Sequence, residues 1–232
     1  MFRHRIHRTG ILIAALLCAC EALAEIRYEV TDLGALGMVE INGVEFDLAH
    51  SLAYGINESG QVVGQSRDSA PPYPGTASRA FIWDRAQGMR NLGALNDAGS
   101  YTSSAQDINE SGFVVGYSRA TINHAARAVA WADGNSLLDL GTIGSLPTLG
   151  WSANDSAQVV GTAGFAGFPA GAPFRGFVWD AVNGMRSMLN DGIRNANSIN
   201  NAGQIAGQAV DPEPGDRMRS PAMIWDSVNG LK

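Results

Sequence analysis

The sequence predicts an all-β chain, a β-propeller of about four four-stranded repeats closed by its N-terminal strand. Three observations carry this expectation. A unit of about 45–50 residues is written four times over. Each unit alternates short apolar runs with tight-turn residues, and no helical period appears. The composition also fits, with 28 glycines in 232 residues, 45% hydrophobic and only 16% charged. Average usage is about 7% glycine and about 25% charged, so this is a folded, turn-rich chain with ample core material.

Residues 1–24 read as an export signal. Arg3, Arg5 and Arg8 form a basic start, Gly10 to Ala19 a short apolar run, and Ala22-Leu23-Ala24 a small-x-small cleavage site before Glu25. The run is shorter than the roughly 20 residues a bilayer span needs. An uncleaved N-terminal anchor is one alternative. A lipoprotein signal is another, because Leu17-Cys18-Ala19-Cys20 resembles a lipobox with Cys20 as the lipidated residue. Both cysteines, Cys18 and Cys20, lie in this segment, so the mature chain 25–232 is expected to lack disulfides and thiolate chemistry. The formal net charge is −6, and removal of the signal makes it more acidic still. Such a chain repels phosphate backbones, so nucleic acid is not an expected partner. Lys232 is the sole lysine, which leaves P-loop and Schiff-base chemistry without its residue. No further segment reaches transmembrane length.

The repeats run approximately 52–95, 104–143, 150–189 and 195–232. Trp83, Trp131, Trp179 and Trp225 mark one position; Gly64, Gly116, Gly161 and Gly207 mark another. In the first unit, a strand leads to the turn Asn57-Glu-Ser-Gly60. There asparagine accepts local backbone bonds and glycine supplies positive φ. Gln61–Gly64 is the second strand, Ala80–Asp84 the third, and Met89–Leu92, after a turn closed by Gly88, the fourth. One such sheet cannot bury both faces, so stacking of units is required.

The opening Tyr28-Glu-Val-Thr-Asp-Leu-Gly-Ala-Leu36 matches the fourth-strand segment Leu138-Asp-Leu-Gly-Thr-Ile143. The last unit stops at Gly230-Leu-Lys232, where its own fourth strand should begin. A strand at 26–36 borrowed to complete the last blade would close a ring of four. The alternative is a longer array in which that strand pairs elsewhere.

INESGQVVG, RAFIWD and GMRNLGAL resemble the HAF-family extracellular repeat proteins of bacteria, and YEVTDLGALG resembles their opening. The resemblance covers roughly Tyr28 to the end. The naming His-Ala-Phe tripeptide is Arg79-Ala-Phe81, Arg127-Ala-Val129, Arg175-Gly-Phe177 and Pro221-Ala-Met223 here, so no role of its histidine carries over. The resemblance implies an exported, propeller-like repeat protein and no reaction.

Sharper readings of single motifs compete with plainer ones. Asp107-Ile-Asn109-Glu-Ser111-Gly112 resembles the start of a calcium loop, but Ser118 stands where the closing glutamate belongs. A hairpin turn is the favoured reading. The Trp-Asp pairs (Trp83-Asp84, Trp179-Asp180, Trp225-Asp226) read as sugar platforms or, preferably, as core tryptophans followed by turn-starting aspartates. His50 and His124 lack any supporting catalytic motif. No catalytic, cofactor or metal residue is assigned.

The loops between second and third strands are long and different in every unit, and function usually sits on variable loops of a rigid scaffold. Tyr73, Phe165 and Phe168 are the aromatic candidates on this rim, and Asp211, Glu213 and Asp216 the polar ones. The plainer reading makes these loops solvated linkers. The functional expectation is an exported, non-catalytic module binding a glycan or protein at the cell surface or in the periplasm. The alternative is a propeller-fold polysaccharide hydrolase or lyase using rim carboxylates.

Overall fold

The computed structural model describes residues 29–36, 50–67, 78–95, 102–119, 125–132, 136–164, 175–210 and 221–232, with 39–41 and 44–46 as backbone. The chain divides into two compact units, Met1–Asp32 and Leu33–Lys232. The second unit opens with a small hairpin of β1 (Val39–Ile41) and β2 (Val44–Phe46). Four four-stranded antiparallel sheets follow. Sheet 1 is β3 (Ser51–Ile56), β4 (Val62–Arg67), β5 (Ser78–Asp84) and β6 (Gly88–Gly93). Sheet 2 is β7 (Ser103–Ile108), β8 (Val114–Ser118), β9 (Arg127–Ala132) and β10 (Ser136–Gly141). Sheet 3 is β11 (Thr148–Ala153), β12 (Val159–Ala163), β13 (Arg175–Asp180) and β14 (Gly184–Ser187). A short 3-10 turn, Leu189–Asp191, leads to sheet 4: β15 (Ile193–Ile199), β16 (Ile205–Ala209), β17 (Ala222–Asp226) and β18 (Gly230–Leu231). Within every sheet, consecutive strands pair in order.

The first hairpin of each sheet is built by its asparagine. Asn109 Oδ1 accepts the N–H groups of Ser111 (3.0 Å) and Phe113 (2.8 Å), and Asn154 Oδ1 does the same for Ser156 and Gln158. The turn closes on a residue in the left-handed region: Gly60, Gly112 and Gly203, but Ala157 (φ 54°) in the third unit. A side chain with a Cβ pays about 1–2 kcal/mol there. Ala157→Gly is therefore expected to stabilise the protein by about 1 kcal/mol, raising Tm by roughly 2–4 °C in thermal denaturation.

The second-strand glycines have a different cause. Each first strand carries an irregularity in register, between Ala53 and Gly55, Ala105 and Asp107, Gly150 and Ser152, and Ala196 and Ser198. This bulge turns a first-strand carbonyl toward the second strand. A Cβ on Gly116 would overlap the Ser104 carbonyl oxygen, and Gly64, Gly161 and Gly207 face Leu52, Leu149 and Asn195 in the same way.

The sheets stack in chain order, the first strand of each lying on the sheet before it: β7 on β3–β5, β11 on β7–β9, and β15 on β11–β13. Apolar side chains fill each joint. Between sheets 1 and 2 lie Val63, Ile82, Ala105, Ile108, Val129 and Trp131. Val115, Ala130, Ala153, Phe177 and Trp179 fill the second joint, and Val160, Ile193, Ile199, Met223 and Trp225 the third. Thus the tryptophan of each sheet from the second onward faces its predecessor, which supports the core reading of these residues.

Polar stitches fix the register of the stack. Ser103 Oγ donates to Gly93 O (2.8 Å) and accepts Ala80 N–H (2.9 Å); Thr148 Oγ1 repeats this with Gly141 O and Ala128 N–H. Down one rim, Asn57 Nδ2 donates to Asn109 O (3.2 Å), Asn109 Nδ2 to Asn154 O (2.8 Å) and Asn154 Nδ2 to Asn200 O (3.2 Å). The next residues form a second ladder. Glu58 N–H donates to the Glu110 carboxylate, Glu110 N–H to Asp155 Oδ1, and Asp155 N–H to Asn201 Oδ1.

Two expectations about closure change. The last sheet has its own fourth strand, β18, so four strands per sheet are reached without the N-terminal segment. Residues 29–36 of the expected closing strand 26–36 form no strand, and among the described residues no pairing joins sheet 4 to sheet 1. The likeness of Gly34-Ala-Leu36 to a fourth-strand end nonetheless has a structural meaning. Ser51 Oγ donates to Gly34 O (2.8 Å) and Leu36 N–H to Ser66 Oγ (3.0 Å). The same two bonds join Gly93 to Ser103 and Leu95 to Ser118 between sheets 1 and 2. The segment therefore sits on sheet 1 as the end of a preceding unit would.

Candidate functional site

The six rim residues singled out by the sequence, Tyr73, Phe165, Phe168, Asp211, Glu213 and Asp216, all lie outside the described residues. So do His124, the segment 1–24 and Cys20. Among the described residues, no group of three or more His, Cys, Asp or Glu is placed to hold a metal. No helix there is long and apolar enough to cross a membrane.

The calcium-loop residues are occupied by the stack itself. Asp107 Oδ1 accepts the N–H of Ile108 (3.0 Å) and Oδ2 that of Ala153 in the next sheet (3.1 Å). Asn109 and Glu110 serve the two ladders described above. A hairpin with helpful side chains, rather than a cation loop, accounts for every one of these groups.

The aspartates after the tryptophans are likewise turn-builders. Asp84 Oδ1 accepts the N–H groups of Ala86 (2.9 Å) and Gln87 (2.8 Å). Asp180 binds the N–H groups of Val182 and Asn183, and Asp226 those of Val228 and Asn229. The Asn183 side chain, then its backbone N–H, holds the Asp180 carboxyl below the usual carboxylate range; Asn229 does the same for Asp226, and for Asp84 the Gln87 N–H leads. A carboxyl stabilised as its anion in this way is ill suited to donate a proton at neutral pH.

A groove of about 950 Å³ opens between sheets 3 and 4. Val178, Ile199, Ile205 and Trp225 supply its apolar floor, and Gln158, Asn183, Arg186 and Asn201 its polar walls. The walls come from the first-hairpin turns of sheets 3 and 4 and from the β13–β14 turn, so the groove lies on the rim of short, regular turns. The sequence argument favoured the opposite rim.

The wall is braced from within. Asn201 Nδ2 donates to Asp155 Oδ2 (2.6 Å), Asn154 Nδ2 to Gln158 Oε1 (2.8 Å), and Arg186 Nη1 pairs with Asp191 (2.6 Å). Trp131 is fully buried and Trp179 is 8% exposed, whereas Trp225 is half-buried and reaches the groove. The tryptophan recurrence in the sequence marks core at Trp131 and Trp179, while Trp83 and Trp225 are half-buried. It carried no sign that one of the four lines an opening, because that depends on how the last two sheets meet. An indole on an apolar floor beside amide and guanidinium groups suits a ligand with alternating C–H faces and hydroxyl or amide edges. Its volume lies within the range of small-molecule and oligomer-binding clefts.

Comparison with curated proteins finds no match. A family model described as "Protein of unknown function (DUF3466)" matches residues 12–132, just over half of the chain. That family is uncharacterised, and the match lends no support to the HAF resemblance. On the extent of this match, the chain belongs to the DUF3466 family of proteins of unknown function.

Proposed function

We propose that this chain is an exported, non-catalytic repeat protein of the HAF type, its four sheets the blades of a propeller-like array. In this reading it acts as a binding module for a glycan or protein at the cell surface or in the periplasm. The observation that carries the binding role is the groove between sheets 3 and 4, with Trp225 on its apolar floor and Gln158, Asn183, Arg186 and Asn201 around it. Neutral sugars are favoured occupants. Their C–H faces stack on indole, and their hydroxyls exchange hydrogen bonds with amides and guanidinium without any need for charge. The stacked architecture supports the repeat-protein reading, and the basic-apolar-small pattern of residues 1–24 supports export.

The test is a glycan array followed by titration calorimetry on the hit. Binding without chain shortening is expected, with affinity reduced at least about tenfold in Trp225→Ala and in the surface variant Arg186→Ala. Far-UV circular dichroism checks that each variant is folded. Unchanged affinity in both variants would remove the groove as the site. Polysaccharide cleavage lost on changing Asp211 or Glu213 would replace this reading with the hydrolase or lyase.

A further inference from the structure

The two ends of the sheet stack are unlike and complementary. On the outward face of sheet 1, Ala53 is exposed and Ile56 is 70% exposed, with Trp83 half-buried beside them. Their counterparts in sheet 2 are Ala105 (0%), Ile108 (4%) and Trp131 (0%), all covered by sheet 1. On the outward face of sheet 4, Ala206 and Ala222 are exposed and Ile224 is 42% exposed. Their counterparts in sheet 1 are Val63 (0%), Ala80 (0%) and Ile82 (2%), all covered by sheet 2. One end thus presents the upper half of a joint the molecule makes three times, and the other end presents the lower half.

The polar ladders end in the same complementary way. At each internal joint the asparagine Nδ2 of one sheet donates to the asparagine carbonyl of the next. Asn200 Nδ2, exposed on sheet 4, reaches only Gln204 Oε1 of its own turn among the described residues. Among the described residues Asn57 O, on sheet 1, accepts only the N–H of its own turn's Gly60. At each internal joint, too, the side chain after the asparagine caps the corresponding backbone N–H of the preceding sheet. Among the described residues Asn201 N–H has no such cap, and the exposed Glu58 carboxylate caps nothing. The Gly34–Leu36 segment already occupies the place on sheet 1 where the end of a preceding unit belongs.

We infer that sheet 1 is an interaction surface for a second copy of this chain, which docks the outward face of its sheet 4 there, head to tail. Ala53, Ile56 and Trp83 of one copy pack on Ala206, Ala222 and Ile224 of the other. Asn200 Nδ2 donates to Asn57 O across the joint, and Glu58 accepts from Asn201 N–H. The occupant follows from continuity: sheet 4 offers the apolar face, the donor and the uncapped N–H in the register the three internal joints use, and among the described residues no pairing brings a chain's own sheet 4 to its sheet 1. Such a joint is heterologous, so it forms a ring when successive copies close and a filament when they do not. Ligand binding in the groove is not required, because Trp225 faces sheet 3 and Ile224 the opposite side.

Sedimentation velocity of the full chain across a concentration series tests this. The protein is expected to self-associate. Ile56→Arg and Ile224→Arg, each placing a charge in the joint, are expected to weaken association by about 100-fold or more and to sediment as monomers. Mixing the two variants is the decisive step. Ile56→Arg keeps an intact sheet 4 and Ile224→Arg an intact sheet 1, so the mixture should form 1:1 heterodimers that grow no further. Both positions are solvent-exposed, and circular dichroism verifies folding; Ala53→Glu and Ala222→Glu form a second pair should either arginine variant fail to fold. A wild-type monomer at every concentration, as intramolecular closure would give, overturns the inference. So does a mixture that stays monomeric, or a single variant that still assembles.

Discussion

Gly116→Ala is expected to lose about 4 kcal/mol or more of stability, a large share of the roughly 5–15 kcal/mol that holds a native domain folded. The added Cβ would overlap the Ser104 carbonyl oxygen and lie 2.9 Å from Ser104 C and 3.0 Å from Ala105 Cα. All three are backbone atoms of the bulged first strand, so no rotamer change relieves the clash. Val115 and Ala105, its neighbours, are fully buried, and the strands have no solvent side toward which to move. Urea denaturation followed by circular dichroism measures the loss. Gly88→Ala is the control. Its glycine has positive φ but open space around the site, so about 1 kcal/mol is expected there. Equal losses at the two positions would mean that the bulge carbonyl yields and that the glycine is not required by close approach.

The second large effect is expected at Asn109, which is 6% exposed. Its Oδ1 holds the Ser111 and Phe113 N–H groups, and its Nδ2 donates to Asn154 O in the next sheet. Asn109→Ala removes all of these: the Ser111 and Phe113 amides lose their acceptor, and Asn154 O keeps only the N–H of its own turn's Ala157, a cost of about 3 kcal/mol. Asn109→Asp separates the two roles. A carboxylate still accepts from the turn amides but faces Asn154 O as a second acceptor. Denaturant melts should therefore place Asp near Ala, and hydrogen exchange should show the Ser111 and Phe113 amides protected in Asp and open in Ala. If Asp behaves as wild type, the cross-sheet bond is not what the position supplies.

Much of this architecture is local and was legible as such. The Asn-x-x-Gly turns, the β-branched second strands and the aspartate-led turns after the tryptophans are decided by residues within four positions of each other. The strand boundaries follow them closely: Val62–Arg67 for an expected start at Gln61, and Ser78–Asp84 for Ala80–Asp84. The fourth-strand likeness of residues 28–36 holds only at its end: residues 29–36 form no strand, yet Gly34 and Leu36 bond to Ser51 and Ser66 as Gly93 and Leu95 bond to Ser103 and Ser118.

The candidate site was not legible in the same way. Trp83, Trp131, Trp179 and Trp225 look alike in the sequence, yet burial separates Trp131 from Trp225 because it depends on which sheet lies opposite. The acidic residues Glu58, Glu110 and Asp155 likewise look like surface turn residues. Only the stack reveals that Glu110 and Asp155 cap backbone N–H groups about fifty residues away.

By itself, the sequence determined the number of units, the turn that opens each one and the need to stack, because turn chemistry and apolar periodicity act over a few residues. The tertiary structure alone decided how the sheets meet. Joint formation depends on carbonyls, amides and side chains from different units arriving at one place, and nothing in the linear order records that arrival. For the same reason the second-strand glycines, visible as a pattern, acquired a cause only when the bulged strand beside them was seen. The two uncovered end faces could be recognised only against the three joints already made.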